Sequence, residues 1–355
     1  LTFFPRIRSN TPGAFVVNAG SEPAPGYRLR RARGRGGFAE VWEADTPAGP
    51  VALKFMPSSN AGSTSREIRA LQSLQALDHP HLVKTNGVWS VPGYIVIDME
   101  LAEATLLDLM LVYHNDLGQH IDPPQLLLYM WQVADALDFL NARRHQRDGR
   151  KVGFQHGDVK PNNVLLFGDV AKLTDYGMAT PTNGPNTPCP RAGTRDYAAP
   201  EVFQGYLSDT SDQFSLAVTY HILRTGVFPY PPPPAELPKV YTRPAPDLGL
   251  LSPAEQTVLT RALAPIPQDR FPSCQDLMRA LLKAFGLRPE RNDEGAWKLR
   301  PDGAEAPGSK TIRSAAPASR PGVSRTVTSR PGTNGSNGSG SRPGLPPTPG
   351  STRPA

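Results

Sequence analysis

Between Tyr27 and Phe55 apolar and polar residues alternate in short runs broken by glycine-bearing turns: Tyr27-Arg28-Leu29, then Gly34-Arg35-Gly36-Gly37, then Glu40-Val41-Trp42-Glu43-Ala44, then Val51-Ala52-Leu53-Lys54-Phe55. A period of two interrupted in this way predicts an antiparallel meander. The period then changes. Glu67, Ile68, Leu71, Leu74 and Leu77 fall at helical spacing, with Thr64 as a cap and His79-Pro80 as the stop. Residues 83–89 and 94–99 read as two further strands, giving a five-stranded antiparallel sheet with one helix. Beyond Glu100 helices are predicted over 105–111, 124–142, 212–224, 253–264 and 274–285. The predicted fold is α+β and bilobal. A small β lobe spans 27–99, a hinge 100–104 and a larger α-helical lobe 105–285.

The ends differ from this core. Residues 1–26 mix short apolar pieces with Pro12, Gly13, Pro23, Pro25 and Gly26 and are expected to be a partly disordered leader, with order beginning at Tyr27. Residues 286–300 form a short extension. From 301 to 355 Pro, Gly, Ser, Thr and Arg dominate, a composition that buries too little to offset chain entropy, so a disordered tail is expected. Seven basic residues against two acidic ones in that tail account for most of the chain's formal charge of +6. The folded part is therefore nearly neutral, and with no aromatic-studded basic surface or zinc spacing, no nucleic-acid partner is expected. Two cysteines, Cys189 and Cys274, without metal-ligand spacing fit a reducing, cytoplasmic setting. No apolar run is long enough to span a membrane.

The candidate chemistry lies in Phe154-Gln155-His156-Gly157-Asp158-Val159-Lys160-Pro161-Asn162-Asn163-Val164-Leu165, which puts a carboxylate, an ammonium and a carboxamide into one tight loop before an apolar strand. A second acid, Asp175, follows in Leu173-Thr174-Asp175-Tyr176-Gly177. A proton acceptor (Asp158), a charge stabiliser (Lys160) and two oxygen ligands for Mg2+ (Asn163, Asp175) are what in-line phosphoryl transfer from ATP requires. Upstream, Gly34, Gly36 and Gly37 would let backbone amides approach a triphosphate, although the same run also fits a plain hairpin turn. Lys54 closes an apolar strand, where a lysine commonly snorkels to solvent. Glu67 on the following helix could pair with it and aim it at the phosphates, or could close a capping box with Thr64.

Taken together, residues 27 to about 285 resemble a eukaryotic-type (Hanks-type) bacterial serine/threonine protein kinase. The resemblance extends to Gly193-Thr194-Arg195-Asp196-Tyr197-Ala198-Ala199-Pro200-Glu201, to Asp212 and to Arg270 in Asp269-Arg270-Phe271-Pro272. It implies that Glu201 pairs with Arg270 and that Asp212 accepts hydrogen bonds from the catalytic-loop backbone. It also implies that adenine lies between Val41 and Ala52 above and Leu165 below, with Met99 as gatekeeper and backbone groups of Glu100 and Ala102 at its edge. The implied partners are proteins with Ser or Thr acceptors.

The chain departs from the family pattern in three places. Gly157 stands where an arginine usually reads a phosphate on the activation segment, so activity is expected not to depend on a phosphate at Thr180, Thr182, Thr187 or Thr194. Ala39 replaces a third glycine, and Tyr176 a phenylalanine. His156-Gly157-Asp158 is also the signature of small-molecule phosphotransferases of the aminoglycoside and choline kinase type, which lack the Ala199-Pro200-Glu201 segment. A kinase-fold scaffold without catalysis is the remaining alternative, although Lys54, Asp158, Asn163 and Asp175 are all present. Arg143, Arg144, Arg147, Arg150 and Lys151 form a basic insert, read as a solvated loop or as a dock for an acidic partner. The tail repeats Ser-Arg-Pro-Gly at Ser319, Ser329 and Ser341 and could be a target of self-phosphorylation.

Overall fold

The computed structural model describes residues 13–35, 39–58, 77–147, 149–175, 179–182, 184, 186–189, 194–238 and 241–303. The first five strands, β1 (Arg28–Arg35), β2 (Glu40–Thr46), β3 (Gly49–Pro57), β4 (Thr85–Val91) and β5 (Tyr94–Glu100), form one sheet in the order β1-β2-β3-β5-β4. All neighbours are antiparallel, as the alternation predicts. Because side chains alternate across a strand, the sheet has two different apolar faces. Leu29, Trp42, Leu53, Phe55, Tyr94 and Val96 cluster on one. Ala52, Ile97 and Met99 cluster on the other together with Val41 and Leu165. The helix expected after Thr64 lies outside the described residues.

Residues 13–26, placed in the leader by the sequence, are ordered. Val17 is buried in the first of these clusters, and the Phe15 ring stacks on Phe55 with centroids 6.2 Å apart. The Phe15 N–H donates to the Pro92 carbonyl at 2.7 Å, and the Gly20 N–H to that of Leu29 at 2.7 Å. Residues 13–26 are thus part of the small lobe, because the outer face of the sheet would otherwise expose Phe55 and Tyr94.

The large lobe begins with β6 (Ala104–Thr105), whose Thr105 caps helix α1 (Leu106–Asn115) in a reciprocal capping box with Asp108. Helix α2 (Pro123–Asn141) starts on a proline, which suits its first turn, and buries residues from Leu126 to Leu140. Strands β7 (His145–Arg147) and β8 (Arg150–Gln155) form a hairpin where the basic insert reads as an irregular loop. The apolar half of β8, Val152 to Gln155, is buried and draws the preceding basic residues into the ladder. Arg143 meets Asp209 at 2.6 Å, and Arg144 lies over Phe139. Strands β9 (Val164–Phe167) and β10 (Val170–Leu173) join β6 in a small sheet. Strand β11 (Thr180–Thr182) pairs with β8, while β12 (Thr187–Pro188) pairs with β13 (Tyr206–Leu207) beyond the short helix α3 (Pro200–Phe203).

Helix α4 (Ser211–Thr225) is buried along almost its whole length, which places it at the centre of the lobe. It ends at Gly226, whose φ of 79° is left-handed. Helices α5 (Pro253–Ala262) and α6 (Cys274–Ala284) are capped by Ser252 and Ser273. The expected short extension is a hairpin of β14 (Leu287–Arg291) and β15 (Trp297–Pro301). Trp297 packs edge-on against Trp131 at 5.2 Å and donates to Asp135 at 3.2 Å. Pro301 pairs with Leu287, so the ladder runs one residue into the expected tail. Among the described residues, no helix is long and apolar enough to cross a membrane.

Candidate active site

The loop between β8 and β9 is built on a buried carboxylate. Asp212, in the first turn of α4, accepts the N–H groups of His156 at 2.6 Å and Gly157 at 2.9 Å, and its own N–H donates to Gln155 Oε1 at 3.0 Å. Two backbone donors on one carboxylate fix the direction of the chain as it enters the loop. Gly157 then turns with φ of 76°, a conformation that glycine adopts without cost. The Asp158 N–H donates to His156 Nδ1 at 3.2 Å, which leaves the His156 Nε2–H to donate to the Thr174 carbonyl at 2.7 Å. One buried imidazole thereby ties the loop to the residue before Asp175.

Asp158 is the convergence point. Lys160 Nζ lies 2.7 Å from its Oδ2, and Asn163 Nδ2 donates to the same oxygen at 3.0 Å and to the Asp158 carbonyl at 2.8 Å. Thr194 donates its hydroxyl to Asp158 Oδ1 at 2.7 Å while accepting from Lys160 Nζ at 2.7 Å. Burial opposes ionisation of Asp158, but the hydrogen bonds from Lys160 and Thr194 outweigh it and hold the carboxyl below the ordinary aspartate range. A β-hydroxyl on a carboxylate kept ionised and flanked by an ammonium is the geometry in which that carboxylate takes an alcohol proton.

The second acid meets the strand lysine. Asp175 Oδ1 contacts Lys54 Nζ. Asp175 has a φ of 65°, an uncommon conformation for any residue but glycine, and it is held there by the Thr174 contacts to His156 Nε2 and to Asn163, whose carbonyl accepts the Thr174 N–H at 2.9 Å. Lys54, Asp175, Asn163, Asp158 and Lys160 are therefore joined through a continuous set of bonds. Val41, Ala52, Met99 and Leu165, drawn from β2, β3, β5 and β9, share one apolar cluster at the mouth between the lobes. Glu100 is anchored by its carboxylate, which takes the Lys84 N–H at 2.8 Å and Lys172 Nζ at 2.7 Å. The Ala102 carbonyl is already engaged by Arg33 Nη2 at 2.9 Å, and Arg33 also reaches the Glu103 carbonyl at 2.8 Å. Gly36, Gly37 and Glu67 lie outside the described residues.

Two groups escape sequence reasoning. Thr194 is expected there as a place for a phosphate, yet its hydroxyl sits on Asp158. Arg33, in a strand of alternating polarity, reads as a solvent-facing side chain, and only its contact with carbonyls some seventy residues away reveals the link between roof and hinge.

The residues fit a nucleotide with Mg2+. A Cβ at Gly34 would meet nothing within 4 Å, so the strand entering the turn leaves room for phosphates. The donor set would be one carboxylate, Asp175, and one carboxamide, Asn163, whose nitrogen donates to Asp158. Mg2+ takes one or two protein oxygens and completes its shell with phosphate and water, so a sparse set suits it better than it would suit Ca2+.

A cleft with an ionised base, two ammonium groups and a sparse oxygen set is that of a phosphotransferase. A family model for the protein kinase domain matches residues 27–284, more than half of the chain, and the chain belongs to that family. Among curated proteins it is similar to serine/threonine-protein kinase PknE of Mycobacterium bovis, 31% identical over 272 residues that make up 72% of this chain and 45% of that protein. It is also similar to PknH of the same organism, 30% identical over 306 residues, 82% of this chain and 49% of that protein. PknD of Mycobacterium tuberculosis is 32% identical over 278 residues, 74% of this chain and 40% of that protein. The chain spans a little under half the length of these relatives.

Proposed function

We propose that this chain is a serine/threonine protein kinase that transfers the γ-phosphate of ATP to Ser or Thr hydroxyls of protein substrates. The observation that carries this reading is the convergence of Lys160, Asn163 and the Thr194 hydroxyl on Asp158, beside an Asp175 in contact with Lys54. Asp158 accepts the acceptor's proton as its oxygen bonds to phosphorus and the bond to the β-phosphate oxygen breaks, releasing ADP. Lys160 balances charge on the phosphoryl group in flight. Lys54 faces the remaining phosphates, with Glu67 as the carboxylate that aims it. Asn163 and Asp175 would hold Mg2+, which when bound neutralises phosphate charge. Val41, Ala52, Met99 and Leu165 enclose the adenine, with Glu100 and Ala102 at its edge and Gly34, Gly36 and Gly37 over the phosphates.

Activity on this reading does not wait for activation-segment phosphorylation. Position 157 has no guanidinium, and the segment is tied instead by the β11–β8 and β12–β13 pairings and by Thr194. Thr182 is itself buried, and Thr194 is committed to Asp158. The two free thiols, one fully buried, suit the reducing cytoplasmic compartment. The hydroxyl-rich tail is a candidate for self-phosphorylation, which mass spectrometry after incubation with ATP would detect beyond residue 301.

The test is transfer of labelled phosphate to a Ser/Thr peptide by the full chain, compared with Asp158→Asn and Lys54→Met. Each substitution should lower kcat by about 10²-fold to 10⁴-fold. Full activity in Asp158→Asn, or none in the folded wild type, overturns the reading.

A further inference from the structure

The segment that carries Thr194 continues through Arg195, Asp196, Tyr197 and Ala198 to α3, and the carbonyls of all four residues are held by side chains from elsewhere. Arg243 Nη2 donates to the carbonyls of Arg195 at 2.5 Å and Asp196 at 2.9 Å, and Arg243 Nε to that of Ala198 at 3.0 Å. The Ser215 hydroxyl of α4 donates to the Tyr197 carbonyl at 2.9 Å. In the opposite sense, Arg195 Nη1 donates to the Ala235 carbonyl at 2.7 Å. Two arginines therefore staple the acceptor segment to the proline-rich stretch between α4 and α5, one in each direction.

Arg243 is an unusual way to make such a link. It is only 7% exposed, and among the described residues it makes no ion pair with a carboxylate. Its guanidinium sits over the rings of Tyr230, Phe203 and Phe214 at 4.8, 5.1 and 5.9 Å. Its Nη1 is buried with no hydrogen-bond partner among the described residues. A buried cation without a counter-ion is costly, and here three carbonyls and three ring faces offset that cost. Only a planar fork can serve three carbonyls while stacking between rings; a lysine would bring the charge without the plane. The residues so fixed are the four that follow Thr194, the group shared by Asp158 and Lys160.

We propose that Arg243 is a positioning residue for phosphoacceptors: it sets the course of residues 194–198, and with it the placement of Thr194 and of an incoming peptide before Asp158. The proposal rests on the kinase reading and deepens it. Arg243 touches neither nucleotide-facing nor metal-facing groups, so its effect falls on the acceptor side of the reaction.

The experiment uses the full chain and the variants Arg243→Lys and Arg243→Met, with two readouts. In steady-state kinetics with a Ser/Thr peptide, both variants should lose on the order of 10²-fold in kcat/KM for peptide, as expected for a displaced reacting group, with the KM for ATP moving by less than about twofold. In hydrogen exchange, the Tyr197 and Ala198 amides, which donate to the Thr194 and Arg195 carbonyls, should exchange faster while those of β3 and β5 keep their wild-type rates. Wild-type behaviour of Arg243→Lys in both readouts overturns the proposal. So does a proportional loss in peptide and ATP parameters with faster exchange throughout, which would mark a general packing role. A wild-type chain that transfers no phosphate defeats the kinase reading instead, and the exchange rates at 197 and 198 still decide whether Arg243 holds the segment.

Discussion

Replacing Arg270 with Met should be among the most damaging single changes in the large lobe. Arg270 and Glu201 face each other through two parallel bonds of 2.8 Å with side chains 0% and 1% exposed. Burial raises the free energy of the Glu201 carboxylate, and Arg270 more than restores it, holding the group below its ordinary pKa. Without the guanidinium, Glu201 is left with neutral donors such as the hydroxyls of Ser208 and Ser211 at 2.8 Å, and the carbonyls of Ala264, Thr210 and Pro265 lose a donor. Leaving one member of a buried pair uncompensated costs about 3–5 kcal/mol. At about 2–4 °C per kcal/mol for a domain of this order of size, Tm should fall by roughly 6–20 °C. Glu201→Gln should cost somewhat less, since an amide needs less solvation than a charge. The double variant should be less destabilised than the sum of the two by about 1–3 kcal/mol. Urea unfolding followed by circular dichroism on all four proteins measures this cycle. A cost under about 1 kcal/mol for Arg270→Met, or effects that add to within about 0.5 kcal/mol, would refute the reasoning.

Two further outcomes follow from the catalytic loop. Gly157→Ala should lose about 1–2 kcal/mol in urea unfolding from backbone conformation alone, because φ is 76° and an added Cβ would meet nothing within 4 Å; an unchanged midpoint would remove the argument from left-handed geometry. Phosphatase-treated wild type should retain peptide phosphorylation within about threefold, and a loss of about a hundredfold would mean that a phosphate orders the segment after all. Asp158 and Glu201 both sit below their ordinary values, so the stability they contribute is full above the unfolded carboxyl range near pH 4 and disappears as pH falls through the lower folded values. The stability gap between wild type and Glu201→Gln should accordingly be constant from about pH 8 to 5 and close on further acidification; a gap that widens below about pH 4 would contradict the sign.

Most of the sheet was legible because its residues obey a period of two on both faces, so Leu53 and Phe55 part from Ala52 and Lys54 without reference to anything distant. The loop residues were legible for another reason. Asp158, Lys160 and Asn163 are close in sequence because one tight turn must present them together, and the chemistry is written in their spacing. The elements that escaped depend on long-range contact. Phe15 and Val17 carry a two-residue period, but proline and glycine around them mask it, and only the bare outer face of the sheet explains why they pack. The β14–β15 hairpin alternates through Trp297 and Leu299, yet Arg288, Glu290, Arg291, Lys298 and Arg300 make it look like a solvated linker. Arg243 gives no local signal, since an arginine among prolines is ordinarily a surface residue.

The match to the family stops at residue 284, but the folded polypeptide does not. Trp297 shields the indole of Trp131, and Asp135 of the same helix receives Trp297 and Arg291 from the hairpin and His79 from the opposite side. A chain shortened at the family boundary would wet an aromatic surface at the back of α2 and strip Asp135 of two of its four polar partners among the described residues, leaving Gln275 and His79. The natural excision point for a minimal folded unit is therefore after Pro301, and a fragment cut earlier would be a poor guide to how this domain folds.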